Sequence, residues 1–240
     1  MCYHIKQIEG STKVIQQTFD VDTQFEVVPT YYHLNGFERG TVMIITEDQP
    51  HEAVLATWSV APPFTDDKEG YWKQKGGAAL NTRDDSLFTV KAAQWKNEAM
   101  LHHKCILLVT GFYEPHQLVE QRIPYLLYRP NYAMFGLLGY YTEQVGQKTC
   151  AVLTTKANPQ LAKIHNAAKR MPIMVHPQDS SYYFNLNTAD HLQEAFAEYT
   201  GIDDLHARTV HKDILHAQKM SNRADILNPI HYPPPNPLLF

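Results

Sequence analysis

Short runs of apolar, often β-branched residues recur along the chain and set its predicted architecture. The main ones lie at 41–46, 53–60, 105–110, 125–128, 132–138, 149–155 and 207–211, each with the length and composition of a strand. Helical spacing is scarcer. It is expected at 11–19, behind Ser11 as a cap, at 91–102 among good helix formers, and at 158–168. It is plainest at 188–199, where Thr188 is the N-cap, Leu192, Phe196 and Tyr199 share a face, and Gly201 is the stop. Strands and helices do not alternate regularly, which argues against a doubly wound parallel sheet. The pattern predicts an α+β fold: a mostly antiparallel sheet curled toward a barrel, with a few peripheral helices.

No internal repeat is visible and nothing reads as a linker. Pro62-Pro63 and Gly76-Gly77 read as loop punctuation. Residues 1–227 are expected to form a single domain. Residues 228–240 carry five prolines and are expected to form an extended tail.

Composition narrows the function. The 240 residues are 44% hydrophobic and 19% charged, and 21 − 25 gives a net charge of −4, the balance of a folded soluble protein. That charge argues against a body that is basic all over. It still permits a basic groove, because charge acts locally within about 10 Å at moderate salt. No apolar run approaches the roughly 20 residues of a membrane span. The start lacks the apolar stretch of a secretion signal. Three cysteines at wide spacings do not suggest a disulfide framework, so a reducing cytoplasmic compartment is expected. No zinc-like spacing occurs. His102-His103 with Cys105 comes nearest and reads as a helix end entering a strand. No metal or cofactor is expected.

Four segments carry chemistry. Cys2 follows the initiator Met, which bacterial aminopeptidase removes ahead of a small side chain. A chain starting at Cys2 would present a 1,2-aminothiol: an amine of pKa about 7.7–8.0 beside a thiol of pKa about 8.5. The amine can attack an aldehyde to give an imine that the thiol closes into a thiazolidine. Equally, the thiol can attack a carbonyl with its own amine as base. In Gly111-Phe112-Tyr113-Glu114, a carboxylate sits among aromatic rings, where its charged form is disfavoured. His165 stands near a helix end and suits proton transfer, and Lys169 and Arg170 behind it could hold phosphate. Asn81-Thr82-Arg83 offers an amide to position a sugar and a guanidinium for phosphate, with Trp72 nearby to stack on an unpaired base. Each reading competes with an ordinary solvated or dipole-complementing role.

Taken in order, these pieces resemble the SRAP family (SOS response-associated peptidase, the abasic-site-processing proteins). The matching elements are Met-Cys at the start, Tyr32-His33-Leu34-Asn35-Gly36-Phe37, and Trp58-Ser59-Val60-Ala61-Pro62 where the family has a Trp-Gly-Leu-Ile-Pro-like run. Asn81-Thr82-Arg83 resembles its Asn-Ala-Arg, and Gly111-Phe112-Tyr113-Glu114 its Gly-Phe-aromatic-Glu. The run Thr154-Thr155-Lys156-Ala157-Asn158-Pro159, then Ile164-His165 and Arg170-Met171-Pro172, complete the series. His4 stands where many members have Arg, and Ser59 where the family has Gly.

The resemblance implies a protein that binds single-stranded DNA and crosslinks to abasic sites, shielding the lesion in the DNA damage response. Cys2 would be the nucleophile, and Glu114 would assist Schiff-base chemistry. His165 would donate the proton that opens the deoxyribose ring, and Asn81 would hold Cys2 or the opened sugar. Arg83 and Arg170, or Lys169 in its place, would contact flanking phosphates. Trp72, Trp58, Asn35 and His4 are expected on the DNA-binding surface. A lyase-like side activity and autoproteolytic loss of Met1 fit the same residues. The rival reading is a cysteine-type peptidase using Cys2, Glu114 and His165. A monomer is expected, with no membrane partner.

Overall fold

The structure is a computed structural model that describes residues 2–8, 12–89, 94–216 and 220–232. Its strands are β1 His4–Gln7, β2 Asp22–Thr23, β3 Tyr31–Asn35, β4 Thr41–Thr46, β5 Gln49–Trp58, β6 Asn81–Arg83 and β7 Lys104–Val109. They continue with β8 Gly111–Gln117, β9 Arg122–Tyr128, β10 Phe135–Gln144, β11 Gln147–Lys156, β12 Arg170–Pro172, β13 Met174–Val175 and β14 His206–Thr209. The α-helices are α1 Thr12–Phe19, α2 Lys68–Lys75, α3 Gly77–Leu80, α4 Asp84–Leu87, α5 Gln94–His102, α6 Pro159–Ile164, α7 Ser180–Phe184 and α8 Ala189–Glu198.

Two sheets form. One has the order β14-β9-β8-β1-β3, with antiparallel pairings throughout. In the other, β5-β4-β7-β10-β11 are antiparallel neighbours, and a short parallel pairing of β11 with β5 at Thr149–Thr57 and Cys150–Trp58 closes them into a ring. The expected α+β class with a curled, mostly antiparallel sheet is therefore what the chain adopts.

Both faces of β4, β7, β10 and β11 are covered over most of their length. Cys105, Leu107 and Val109 face a cluster that also holds Ile5, Leu34 and Phe112 of the first sheet. The alternate residues Ile106 and Leu108 meet Ile15 of α1, Met100 of α5 and Phe196 of α8. Double burial explains why these strands read as continuous apolar runs rather than alternating ones. The β10–β11 hairpin turns on Val145-Gly146, both with positive φ (52° and 73°), the type I′ geometry whose twist suits a two-residue connection.

The expected strands all appear, some with shifted ends: 53–60 is Gln49–Trp58, 132–138 is Phe135–Gln144, and 207–211 is His206–Thr209. Strands β1, β2, β3, β6, β8, β12 and β13 and helices α2, α3, α4 and α7 were not legible. Thr188 caps α8 as expected, its hydroxyl accepting from His191 N. The expected helix at 158–168 stops at Ile164, because His165 leaves helical geometry (φ −87°, ψ 57°). Ser59 has no left-handed backbone, so the family's Gly-to-Ser change is accommodated without strain. Ser11, residues 91–93 and the proline-rich residues 233–240 lie outside the described residues.

Candidate active site

β1 delivers the chain start to the site. It lies between β3 and β8, with His4 opposite Asn35 on one side and Tyr113 on the other. Cys2 therefore arrives beside the strand that carries Glu114. Three neighbours fix it there. Asn81 Nδ2 donates to the Cys2 carbonyl at 2.7 Å, and Gly36 N donates to the Tyr3 carbonyl at 2.8 Å. Gly77 abuts the Tyr3 phenol so closely that a Cβ there would lie 2.4 Å from its oxygen, so any side chain at this position would have to displace the ring.

Asn81 is held by β6, which pairs in parallel with β11 at Val152. Trp58 Nε1 donates to the Leu80 carbonyl at 3.2 Å and fixes the residue before it. The Asn81 side-chain oxygen, Oδ1, is buried and has no hydrogen-bond partner among the described residues.

His165 is brought to Glu114 by a latch between α6 and β8. Pro159 opens α6, and the Asn158 side chain accepts from Leu161 N. His116 Nδ1 then meets the carbonyls of Lys163 and Ile164 at 2.9 and 3.2 Å. Asn166 exchanges two 2.8 Å hydrogen bonds with the backbone of Gln117. With His116 and Gln117 only two and three residues past Glu114, the helix end must face it. His165 Nδ1 lies 3.3 Å from Glu114 Oε2 and 2.9 Å from the Arg170 carbonyl.

Burial sets the electrostatics. It pushes the Glu114 carboxyl up to about 7 and the His165 imidazole down to about 4. The Cys2 thiol is pushed well above its ordinary value, first by burial and then by the charge of Glu114. His165 is thus neutral, with Nδ1–H directed at the Arg170 carbonyl and Nε2 left as its basic nitrogen. Cys2 and Glu114 have no exposed surface.

The four residues expected to do chemistry, Cys2, Asn81, Glu114 and His165, converge from distant parts of the sequence. The expected DNA contacts fare differently. Arg170 is buried and committed: its guanidinium meets Asp84 at 2.6 Å, Asp85 at 3.4 Å and the Thr154 carbonyl. Arg83 is half exposed and forks onto Asp85. Lys169 is exposed, at a φ of 50°. Trp58 is fully enclosed, and Trp72 is buried with Nε1 donating to the Val60 carbonyl at 3.1 Å, so neither ring offers a face for stacking in this conformation. Asn35 accepts from Phe37 N and shapes the turn that grips Tyr3. His4 is half-buried against His33, their ring nitrogens 2.9 Å apart. Among the described residues no group of His, Cys, Asp and Glu is arranged to hold a metal ion. No helix among them is long and apolar enough to cross a membrane.

Several contributors had not been singled out. Asp84 and Asp85 tie the Asn-Thr-Arg segment to Arg170; two acids directly after Arg83 were the available signal. His116 and Asn166 left none, because their pairing is purely tertiary.

Residues 1–217 match the sequence profile of the family described as SOS response associated peptidase (SRAP). The chain belongs to the SRAP family. It is 25% identical over 223 residues to the abasic site processing protein YoqW of Bacillus subtilis (strain 168), covering 88% of this chain and 92% of that one. The YoqW of Bacillus phage SPbeta matches to the same extent. A crystal structure of a protein from Bacteroides thetaiotaomicron superposes with a TM-score of 0.78 at 20% identity, covering 96% of this chain and all of the other. One from Bordetella bronchiseptica gives 0.70 at 19%, covering 88% of this chain and all of that one. These two likenesses establish a shared SRAP-like fold.

Proposed function

We propose that this SRAP protein processes abasic sites in single-stranded DNA by crosslinking to them through Cys2, once Met1 has been removed by hydrolysis. The observation that carries the reading is the meeting of Cys2, Asn81, Glu114 and His165 in one buried site whose carboxyl is held near 7. The curated relatives named for abasic site processing support it.

An abasic sugar is a masked aldehyde. In the proposed sequence, His165 Nε2 takes the proton of the anomeric hydroxyl and returns it to the ring oxygen, opening the ring. The Cys2 amine adds to the aldehyde carbon. Protonated Glu114 gives its proton to the departing hydroxyl, and water leaves as the imine forms. The Cys2 sulfur then bonds to the imine carbon. Its S–H proton ends on the nitrogen, with Glu114 as relay. The sum is aldehyde plus aminothiol giving thiazolidine plus water. No free thiolate is needed, which suits a thiol whose pKa burial raises. Lyase-like strand cleavage would proceed from the imine, and ring closure by sulfur competes with it.

The same residues can be drawn as a cysteine-type peptidase. The enclosure of Cys2 and Glu114 favours a small electrophile lacking a base over an extended peptide. Denaturing electrophoresis tests the choice. Purified protein is mixed with a single strand carrying one abasic site, beside an intact strand and a Cys2→Ala variant. A denaturant-stable band that needs both the lesion and Cys2 is expected; its absence from protein confirmed to begin at Cys2 overturns the reading.

A further inference from the structure

The arginines expected to hold DNA are spoken for: Arg170 by Asp84 and Asp85, Arg83 by Asp85. Two others are not. Lys96, on α5, directs Nζ at the Ala78 carbonyl (3.1 Å) and the Thr82 hydroxyl (3.5 Å). Lys75, exposed at the end of α2, is close enough to repel it. Among the described residues no carboxylate pairs with either amine. Both lie against aromatic rings that touch each other: Lys75 Nζ is 5.9 Å from the Tyr71 ring, Lys96 Nζ is 5.5 Å from the Trp95 ring, and the two rings meet edge to face at 6.3 Å. All four side chains keep exposed surface.

The patch is built onto the candidate active site. Ala78 follows the glycine that abuts Tyr3, and Thr82 follows the asparagine that holds Cys2. Burial and the neighbouring Lys75 push the Lys96 amine down to about 8. An anion placed between the two amines would relieve their repulsion. The flanking rings offer faces to bases, the pairing of cation and aromatic that single-stranded nucleic acid uses.

We propose that Lys75, Lys96, Tyr71 and Trp95 form a subsite for the phosphodiester backbone and an adjoining base of the strand that flanks the reacting sugar. This rests on the DNA reading above and adds the surface that grips the strand. It also shifts the expected stacking residue from buried Trp72 to its neighbour Tyr71 and to Trp95.

The test separates binding from crosslinking. Binding of a fluorescent, undamaged single-stranded oligonucleotide is followed by anisotropy across a salt series. It is measured for the full chain, for Lys75→Glu, for Lys75→Met with Lys96→Met, and for Lys75→Arg with Lys96→Arg. Thermal midpoints check folding, and exposed Lys75→Glu keeps the test usable if the double variant is unstable. Two lost phosphate contacts lower the slope of log K against log salt by about 1.4, and weaken binding about tenfold or more at low salt. The arginine variant keeps the slope. Crosslinking to an abasic strand is scored separately on the same proteins. Lysine-dependent binding without any crosslink supports the subsite and removes the Cys2 chemistry. A salt slope unchanged in folded Lys75→Glu and in the methionine variant overturns the subsite whatever the crosslink yield, as does failure of the full chain to bind the strand.

Discussion

Glu114 Oε2 lies 3.3 Å from Nδ1 of His165, yet the two do not form an ion pair at neutral pH. The distance meets the geometry of a salt bridge. Burial, however, raises the carboxyl to about 7 and lowers the imidazole to about 4, so the ring stays neutral while the carboxyl is divided between its two forms. The carboxyl can then serve as an acid and the imidazole Nε2 as a base, each toward the substrate, without first breaking a charge pair.

Crosslinking should therefore depend on protonated Glu114. The rate is expected to fall as pH rises through about 7, and Glu114→Gln to remove that limb and slow the reaction by about 10²–10⁴-fold. The same substitution should stabilise the fold. A carboxyl raised above its unfolded value opposes folding once pH exceeds the unfolded value, and does so fully above about 7. At pH 8, urea unfolding of Glu114→Gln should show a gain of roughly 1–3 kcal/mol. A pH-rate profile identical in the variant would remove Glu114 from the chemistry.

Acid should weaken the fold through three histidines. Burial pushes His4 to about 4, His33 to about 3 and His165 to about 4. Each stays neutral in the folded chain while the unfolded chain takes up a proton near 6.5. Their contribution is complete above 6.5 and lost as pH falls toward 4. Glu114 acts in the opposite sense between about 4.5 and 7 and offsets part of this. The expected net loss between pH 7.5 and pH 5 is roughly 2–4 kcal/mol, read from urea midpoints. Stability that stays flat or rises over that range would contradict the burial of these rings.

Arg170 is expected to act as a brace. Arg170→Met should cost roughly 3–5 kcal/mol by stranding Asp84, and should leave the salt slope of DNA binding unchanged. A variant that keeps its stability and loses about one unit of slope would restore the phosphate role read from the sequence.

Val145 is 96% exposed and sits at φ 52° in the β10–β11 turn, where a β-branched side chain is strained. Val145→Asn should raise stability by about 1 kcal/mol without touching the site. Differential scanning calorimetry would show it as a higher midpoint; a lower one would mean the side chain contributes something the turn geometry hides.

β4, β7, β10 and β11 were legible because double burial leaves long apolar runs. β1 was not: four residues with His, Lys and Gln among them do not look like a strand, although Lys6 and Gln7 are buried. β8 was hidden by Pro115, which the register places opposite Pro124, a pair that requires no ladder donor from either strand. Cys2, Asn81, Glu114 and His165 were found through the order of their motifs, since no spacing rule brings them together. The pairing of Arg170 was hidden for a different reason. A cation in a basic cluster looks free in sequence, and its partners Asp84 and Asp85 lie more than eighty residues away.

The central claim is most directly tested by the intact mass of the product formed with a single-stranded abasic oligonucleotide under denaturing conditions without reductant. The account predicts a species equal to the chain lacking Met1 plus the oligonucleotide minus one water. It should be absent for Cys2→Ala, which retains an amine and is captured only when borohydride reduces the imine. An adduct that still carries Met1, or one that Cys2→Ala forms equally well without reductant, would contradict it.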